Sequence, residues 1–152
     1  METLNFPKYE FRTRVAEGKE EIFDEQRRKW VRLTPEERVR QHMVRFLIDS
    51  KQYPAQLISN EASLTINGMS KRCDTVVYDR DMKARVILEY KAPSVSITEK
   101  TFDQIAMYNI KFQVDILIVS NGINHYCCKV NKESNSYTFL REIPSWDLIV
   151  KQ

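Results

Sequence analysis

Asp74, Glu89 and Lys91 are the residues of this chain whose types and spacing could do chemistry. Most other charged residues fall in turns or on helix surfaces, whereas Asp74 precedes the apolar pair Val76-Val77, and Glu89 and Lys91 follow Val86-Ile87-Leu88. Residues two apart in a strand point the same way, so Glu89 and Lys91 share one face and Tyr90 takes the other. Counting back from a turn at Arg80-Asp81 sets Asp74 near Glu89 across an antiparallel ladder. Two carboxylates at one end of a sheet can hold Mg²⁺, a hard cation that favours oxygen ligands and keeps several waters. A cation there polarises a phosphodiester and lowers the pKa of a bound water, while a neighbouring lysine orients that water or stabilises the pentavalent transition state. The backbone carbonyl of Tyr90 offers a further ligand. The same three residues would also serve as a cross-strand ion pair worth ~0.2–1 kcal/mol, and spacing alone does not separate the two readings.

The elements that must position these residues are readable in outline. Thr34-Pro35-Glu36-Glu37 is a capping box, with Thr34 as cap, Pro35 at the first helical position and Glu37 reaching back. Val39, Met43, Phe46 and Leu47 then recur at helical spacing, and the helix should end near Ser50, ahead of Tyr53-Pro54. Beyond Pro54 the period becomes two: Ile58, Ala62, Leu64 and Ile66 mark a half-buried strand, and Asn67-Gly68 marks a tight hairpin turn. Arg72 to Asp79 and Ala84 to Ala92 complete an antiparallel meander. A second helix, capped by Ser96 with Glu99 or by Thr98, buries Phe102, Ile105, Ala106, Asn109 and Phe112. Asp115 to Ser120 is continuously apolar after its first residue, the pattern of a strand covered on both faces. A final hairpin spans His125 to Val130 and Tyr137 to Ile143. A helix crossing from the third strand to a buried fourth implies a mixed central sheet flanked by helices, an α/β (α+β) architecture.

Length and composition bound the rest. The 152 residues fit one domain with an N-terminal arm: residues 1–33 are charge-dense and read as a loosely packed helical arm around Lys19 to Val31, and 34–152 as the domain proper. Hydrophobic residues at 42% provide for one core, while three glycines and five prolines exclude collagen-like or low-complexity character. The net charge of +3 permits a nucleic-acid partner without announcing one. Cys73, Cys127 and Cys128 suggest neither a disulfide framework nor a zinc site, and with only His42 and His125 a multi-histidine metal centre is excluded. No stretch has the length of a membrane span and the N-terminus lacks the layout of a signal peptide, so the expectation is a cytoplasmic protein with no membrane partner.

Asp74 followed fifteen residues on by Glu89-Tyr90-Lys91 resembles the D…(D/E)xK signature of the PD-(D/E)xK nuclease superfamily. Gln104-Ile105-Ala106-Met107-Tyr108 resembles the QxxxY motif of its RecB-like branch, and residues 34–122 are similar to the nuclease domain at the N-terminus of the type I restriction enzyme R subunit. This resemblance implies a restriction-endonuclease-like core, Asp74 and Glu89 as metal ligands, and Lys91 as the catalytic lysine. It implies Gln104 and Tyr108 in support of the site and in contact with the DNA backbone, and Mg²⁺ as the cation, with Mn²⁺ as an alternative. Relatives often carry an acid in the first helix, and the position that matches by distance to the helix end is Gln41, with Glu36 or Glu37 as substitutes from the first turn. Arg40 and Arg72 are candidate phosphate contacts, and Glu61 is a minor candidate for the site.

The function expected is therefore Mg²⁺-dependent endonucleolytic cleavage of DNA. The chain has no GxxxxGK[ST] loop, so the motor of type I R subunits is expected to be absent. Translocation and sequence choice would then fall to restriction-system subunits or a separate motor, and two-strand cutting to a homodimer on DNA. Two alternatives remain open at this level: a nuclease fold that binds nucleic acid or protein without cutting, and a structural domain whose strand-end charges are salt bridges.

Overall fold

In the computed structural model, which describes residues 2–151, two tight hairpin turns fix the register of the strands they join. Glu17-Gly18 and Asn67-Gly68 all have positive φ, the backbone of the two-residue turns whose twist matches that of paired strands. The first joins β1 (Thr13–Ala16) to β2 (Lys19–Asp24), which also pairs antiparallel with β3 (Lys29–Arg32). The second joins β4 (Ile58–Ile66) to β5 (Met69–Tyr78).

The larger sheet has six strands in sequence order: β4, β5, β6 (Ala84–Tyr90), β7 (Ile116–Ser120), β8 (His125–Asn131) and β9 (Ser136–Leu140). All neighbours are antiparallel except β6 and β7, which run parallel because α2 (Glu99–Asn109) carries the chain across the sheet between them. This is the mixed sheet flanked by helices expected from the sequence. β7 is buried at every position, because apolar layers cover it on both sides. On one side Val39, Met43 and Leu47 of α1 (Pro35–Lys51) pack over Val77, Val86, Leu88 and Ile118. On the other, Phe102, Ala106 and Phe112 pack over Val76, Ile87, Leu117 and Cys128. A short α3 (Trp146–Val150), beyond the last element expected from the sequence, closes the first layer with Trp146 and Ile149. Among the described residues no helix is long and apolar enough to cross a membrane.

The caps are half as expected. Thr34 Oγ1 accepts from the Glu37 amide at 3.1 Å, but the Glu37 carboxylate turns to Arg40 and Gln41 instead of reaching back to the cap. At α2 the cap is Thr98, which accepts from the Thr101 amide, and not Ser96.

The helical arm expected over Lys19 to Val31 is corrected by the structure: this segment forms β2 and β3. Its residues alternate, with Ile22 and Asp24 turned inward to 2% and 1% exposure and Phe23 stacked edge-on against Trp30 on the outer face. The charges that suggested a solvated helix are instead spent on anchoring. Asp24 Oδ2 takes Arg40 Nη2 of α1 at 2.8 Å and Arg27 Nε at 2.5 Å, while its Oδ1 accepts the Gln26 and Arg27 amides. The small sheet is thus fastened to α1 and does not lie loosely on it. Further upstream, the Asn5 amide donates to the Gly122 carbonyl at 2.7 Å. Gly122 has φ +86°, and a Cβ there would stand 2.8 Å from Leu4 Cδ2, so the turn after β7 needs glycine for both reasons.

Candidate active site

The β5–β6 ladder pairs Thr75 with Leu88, and continuing that register by one residue sets Asp74 opposite Glu89, as the count from the turn anticipated. Asp74 Oδ2 accepts the Tyr90 amide at 2.9 Å, which ties the middle of β5 to the end of β6. Lys91 follows immediately, its amide bonded to the Ser120 carbonyl of β7 at 2.9 Å, so the parallel β6–β7 pairing holds the lysine at the sheet end. Burial raises the Asp74 carboxyl above its ordinary value. The Tyr90 amide works against this, nearby Glu89 adds to it, and the ammonium groups of Lys71 and Lys91 pull the other way.

The two acids nonetheless border different clefts. Asp74 borders one of about 200 Å³ together with Thr34, Glu36, Glu37, Arg40, Glu61 and Tyr90. Glu89 borders the other with Lys71, Gln104, Ile105, Tyr108 and Asn109. A distortion in β4 accompanies this arrangement: Glu61, the residue facing Asp74, has φ 54° and drops out of the ladder between Asn60 and Ala62.

Gln104 and Tyr108 line the same cleft as Glu89, exposed on α2. Two other expectations are corrected. Arg40 is not a free phosphate contact: it is 5% exposed, with its guanidinium committed to both Glu37 oxygens and to Asp24. Gln41 is equally buried, donates to Glu37 Oε2 at 3.1 Å, and does not border the Asp74 cleft. The helix acids at that cleft are Glu36 and Glu37, because the register of α1 turns its first turn, and not Gln41, toward β5. Arg72 is exposed and lies 3.5 Å from Glu61, which also bonds Arg27 at 2.8 Å.

Two residues at the site escaped the sequence reading. Lys71 forms an ion pair with Glu89 and donates to Asn109 Oδ1 at 2.8 Å. Asn109, only 1% exposed, donates to Glu89 Oε1 at 3.2 Å and to the Ile105 carbonyl at 2.8 Å. The signal for Asn109 was its place as the one amide on the apolar stripe of α2; Lys71 offered none beyond lying three residues before Asp74. Below them, Tyr90 is sealed in the α1 layer, where burial pushes its phenol well above the ordinary range. Its hydroxyl donates to Thr75 Oγ1, Thr75 to Asn60 Oδ1, and Asn60 Nδ2 to Gln26 Oε1, a continuous chain from the site to the small sheet.

As donors to a cation, Asp74, Glu89 and the Tyr90 carbonyl are all oxygen, which fits Mg²⁺ or Mn²⁺ and not zinc. Among the described residues no three His, Cys, Asp or Glu side chains cluster as a metal cage. Two carboxylates plus waters is the donor set that Mg²⁺ commonly accepts.

The sequence profile of the family described as type I restriction enzyme R protein N terminus (HSDR_N) matches residues 35–144, from the first turn of α1 to the loop after β9. The chain belongs to that family. Among solved structures, the HSDR_N-family chain is similar to the fragment structure of a protein classed as an HsdR subunit of a type I restriction enzyme from Vibrio vulnificus YJ016. The TM-score is 0.54 at 16% identity, over 78% of this chain and 25% of that one, a likeness of fold. This chain thus spans about a quarter of that relative's length. A DUF820 protein from Anabaena variabilis ATCC 29413, classed as a nuclease, aligns at 11% identity over 87% of this chain and 84% of its own, with a TM-score of 0.49. No curated protein matches the chain.

Proposed function

We propose that this domain is a Mg²⁺-dependent endodeoxyribonuclease that hydrolyses phosphodiester bonds. The observation that supports the reading is Asp74 standing opposite Glu89 across β5 and β6 and bonded to the Tyr90 amide, with Lys91 next in the chain, in a member of the R protein N-terminus family. Asp74 and Glu89, with the Tyr90 carbonyl, would hold the cation, which when bound neutralises charge on the phosphodiester and acidifies a water. Tyr90 N–H fixes one Asp74 oxygen and leaves the other for the cleft. The ammonium of Lys91 orients the attacking water and stabilises charge building on the phosphoryl oxygens. Gln104 and Tyr108, exposed beside Glu89, meet the DNA backbone. Mn²⁺ replaces Mg²⁺, since both accept the same oxygen ligands.

The substrate is DNA, reached in the cytoplasm, where free Cys73, Cys127 and Cys128 stay reduced. Restriction-system subunits or a separate motor deliver it, and a homodimer cuts both strands. The test is plasmid nicking with Mg²⁺ by the wild type, Asp74→Ala and Lys91→Ala. Cutting is expected from the wild type alone, with losses of at least about 100-fold in the variants. Metal-dependent cutting that survives both substitutions would remove the assignment, and DNA binding without cutting would make the domain a binding module.

A further inference from the structure

Glu89 is not a free ligand. Its carboxylate is taken by Lys71, whose side chain is 14% exposed and that of Glu89 18%, so this is a contact largely withdrawn from water. A buried ammonium needs acceptors for its three protons. Here they are Glu89, the Asn109 amide oxygen at 2.8 Å, and the face of Tyr108, whose ring centre lies 5.1 Å from Lys71 Nζ. Asn109 cannot turn away, because its amide nitrogen is fixed by the Ile105 carbonyl and by Glu89 itself. Lys71 therefore has two seats that do not depend on Glu89, both on α2.

The ammonium groups near the two acids point the same way. Lys71 and Lys91 both act on Asp74, and Lys71 is seated on Glu89 itself. A divalent cation entering there gains far less than one entering a pair of bare carboxylates, because each ammonium opposes it.

We propose, resting on the metal-dependent reading above, that Lys71 is a stand-in cation for Glu89: it holds that carboxylate until the metal arrives, yields it by falling back on Asn109 and Tyr108, and keeps metal affinity low in the free protein. The anionic phosphodiester then restores the missing negative charge, so metal and DNA enter together. Lys71 is a positioning residue in this scheme and takes no part in the bond exchange.

The experiment is calorimetric titration of the full chain with MnCl₂ in the absence of DNA, for the wild type, Lys71→Met and Lys71→Arg. Lys71→Met is expected to bind Mn²⁺ on the order of tenfold more tightly, the effect of removing one close unit charge at partial burial. Lys71→Arg keeps the charge and is expected to bind as the wild type does. If Lys71→Met binds equally or more weakly while the wild type binds, the role of Lys71 is overturned and the metal site stands. If neither protein takes up Mn²⁺, the metal-dependent reading falls, and this proposal with it. Thermal melting checks folding, and Lys71→Gln replaces Lys71→Met should the latter not fold.

Discussion

Burial first, and then the neighbouring Glu89, hold the Asp74 carboxyl above the ordinary range, against the Tyr90 amide, Lys71 and Lys91. An acid whose folded pKa is raised costs stability when ionised. The cost is nil below the unfolded value of ~3.9 and complete above the folded one. Asp74→Asn keeps an oxygen for the Tyr90 amide while removing the charge. In metal-free buffer it is expected to melt higher than the wild type at pH 7, with the difference vanishing near pH 3, while losing cleavage. Melting curves at the two pH values check this, and a lower melting temperature at pH 7 would contradict it. A gain in stability that accompanies a loss of activity is the mark of a side chain held in place for chemistry and not for folding. Glu37 illustrates the converse. Its carboxylate borders the Asp74 cleft, yet it is spent on Arg40 and Gln41 and serves the fold.

Elements here are joined by buried charge as well as by apolar packing. Arg40 reaches from α1 to Asp24 in β2, and both are nearly inaccessible, with side chains 5% and 2% exposed. Burial alone would raise the Asp24 carboxyl, but the Arg40 charge and the Arg27 hydrogen bonds outweigh it and hold it below the usual range. The stability this contributes is present above the unfolded value and is lost as pH falls through the folded one. Arg40→Met strands that carboxylate with Arg27 as its remaining cation and is expected to cost about 3 kcal/mol in urea unfolding at pH 7. A loss under about 1 kcal/mol would mean that Arg27 suffices. This pair also explains what the sequence concealed. Thr34, Asn67-Gly68 and the apolar run of β7 announce themselves through local rules of capping, turn geometry and burial, and the structure bears each of them out. Asp24 and Arg40 look like surface charges until their pairing across sixteen residues is known, so local rules favour a solvated helix there and leave Arg40 free for phosphate. Lys71 is hidden for a similar reason: its partners lie on β6 and α2, beyond the point where the β5–β6 ladder stops at Thr75 and Leu88.

At the scale of the whole molecule, the two apolar layers share one sheet, and the candidate site lies where β5 and β6 emerge between them. α1 contributes to one cleft and α2 to the other, so neither layer alone completes the site. The facing of Asp74 and Glu89 is legible because it follows from the turn between two adjoining strands. The division of the acids between two clefts is not, since one cleft is lined from α1 and the other from α2.

The hydrogen-bonded chain from Tyr90 through Thr75 and Asn60 to Gln26 has a practical bearing on where a gene fragment should begin. Cloning only the stretch that the family profile covers, residues 35–144, would discard Asp24, Gln26 and the Leu4 plug over Gly122 in one cut. Such a truncated product is expected to express poorly or to melt well below the full chain in a fluorescence thermal shift assay. A truncate as heat-resistant as its parent would show the upstream strands to be dispensable baggage.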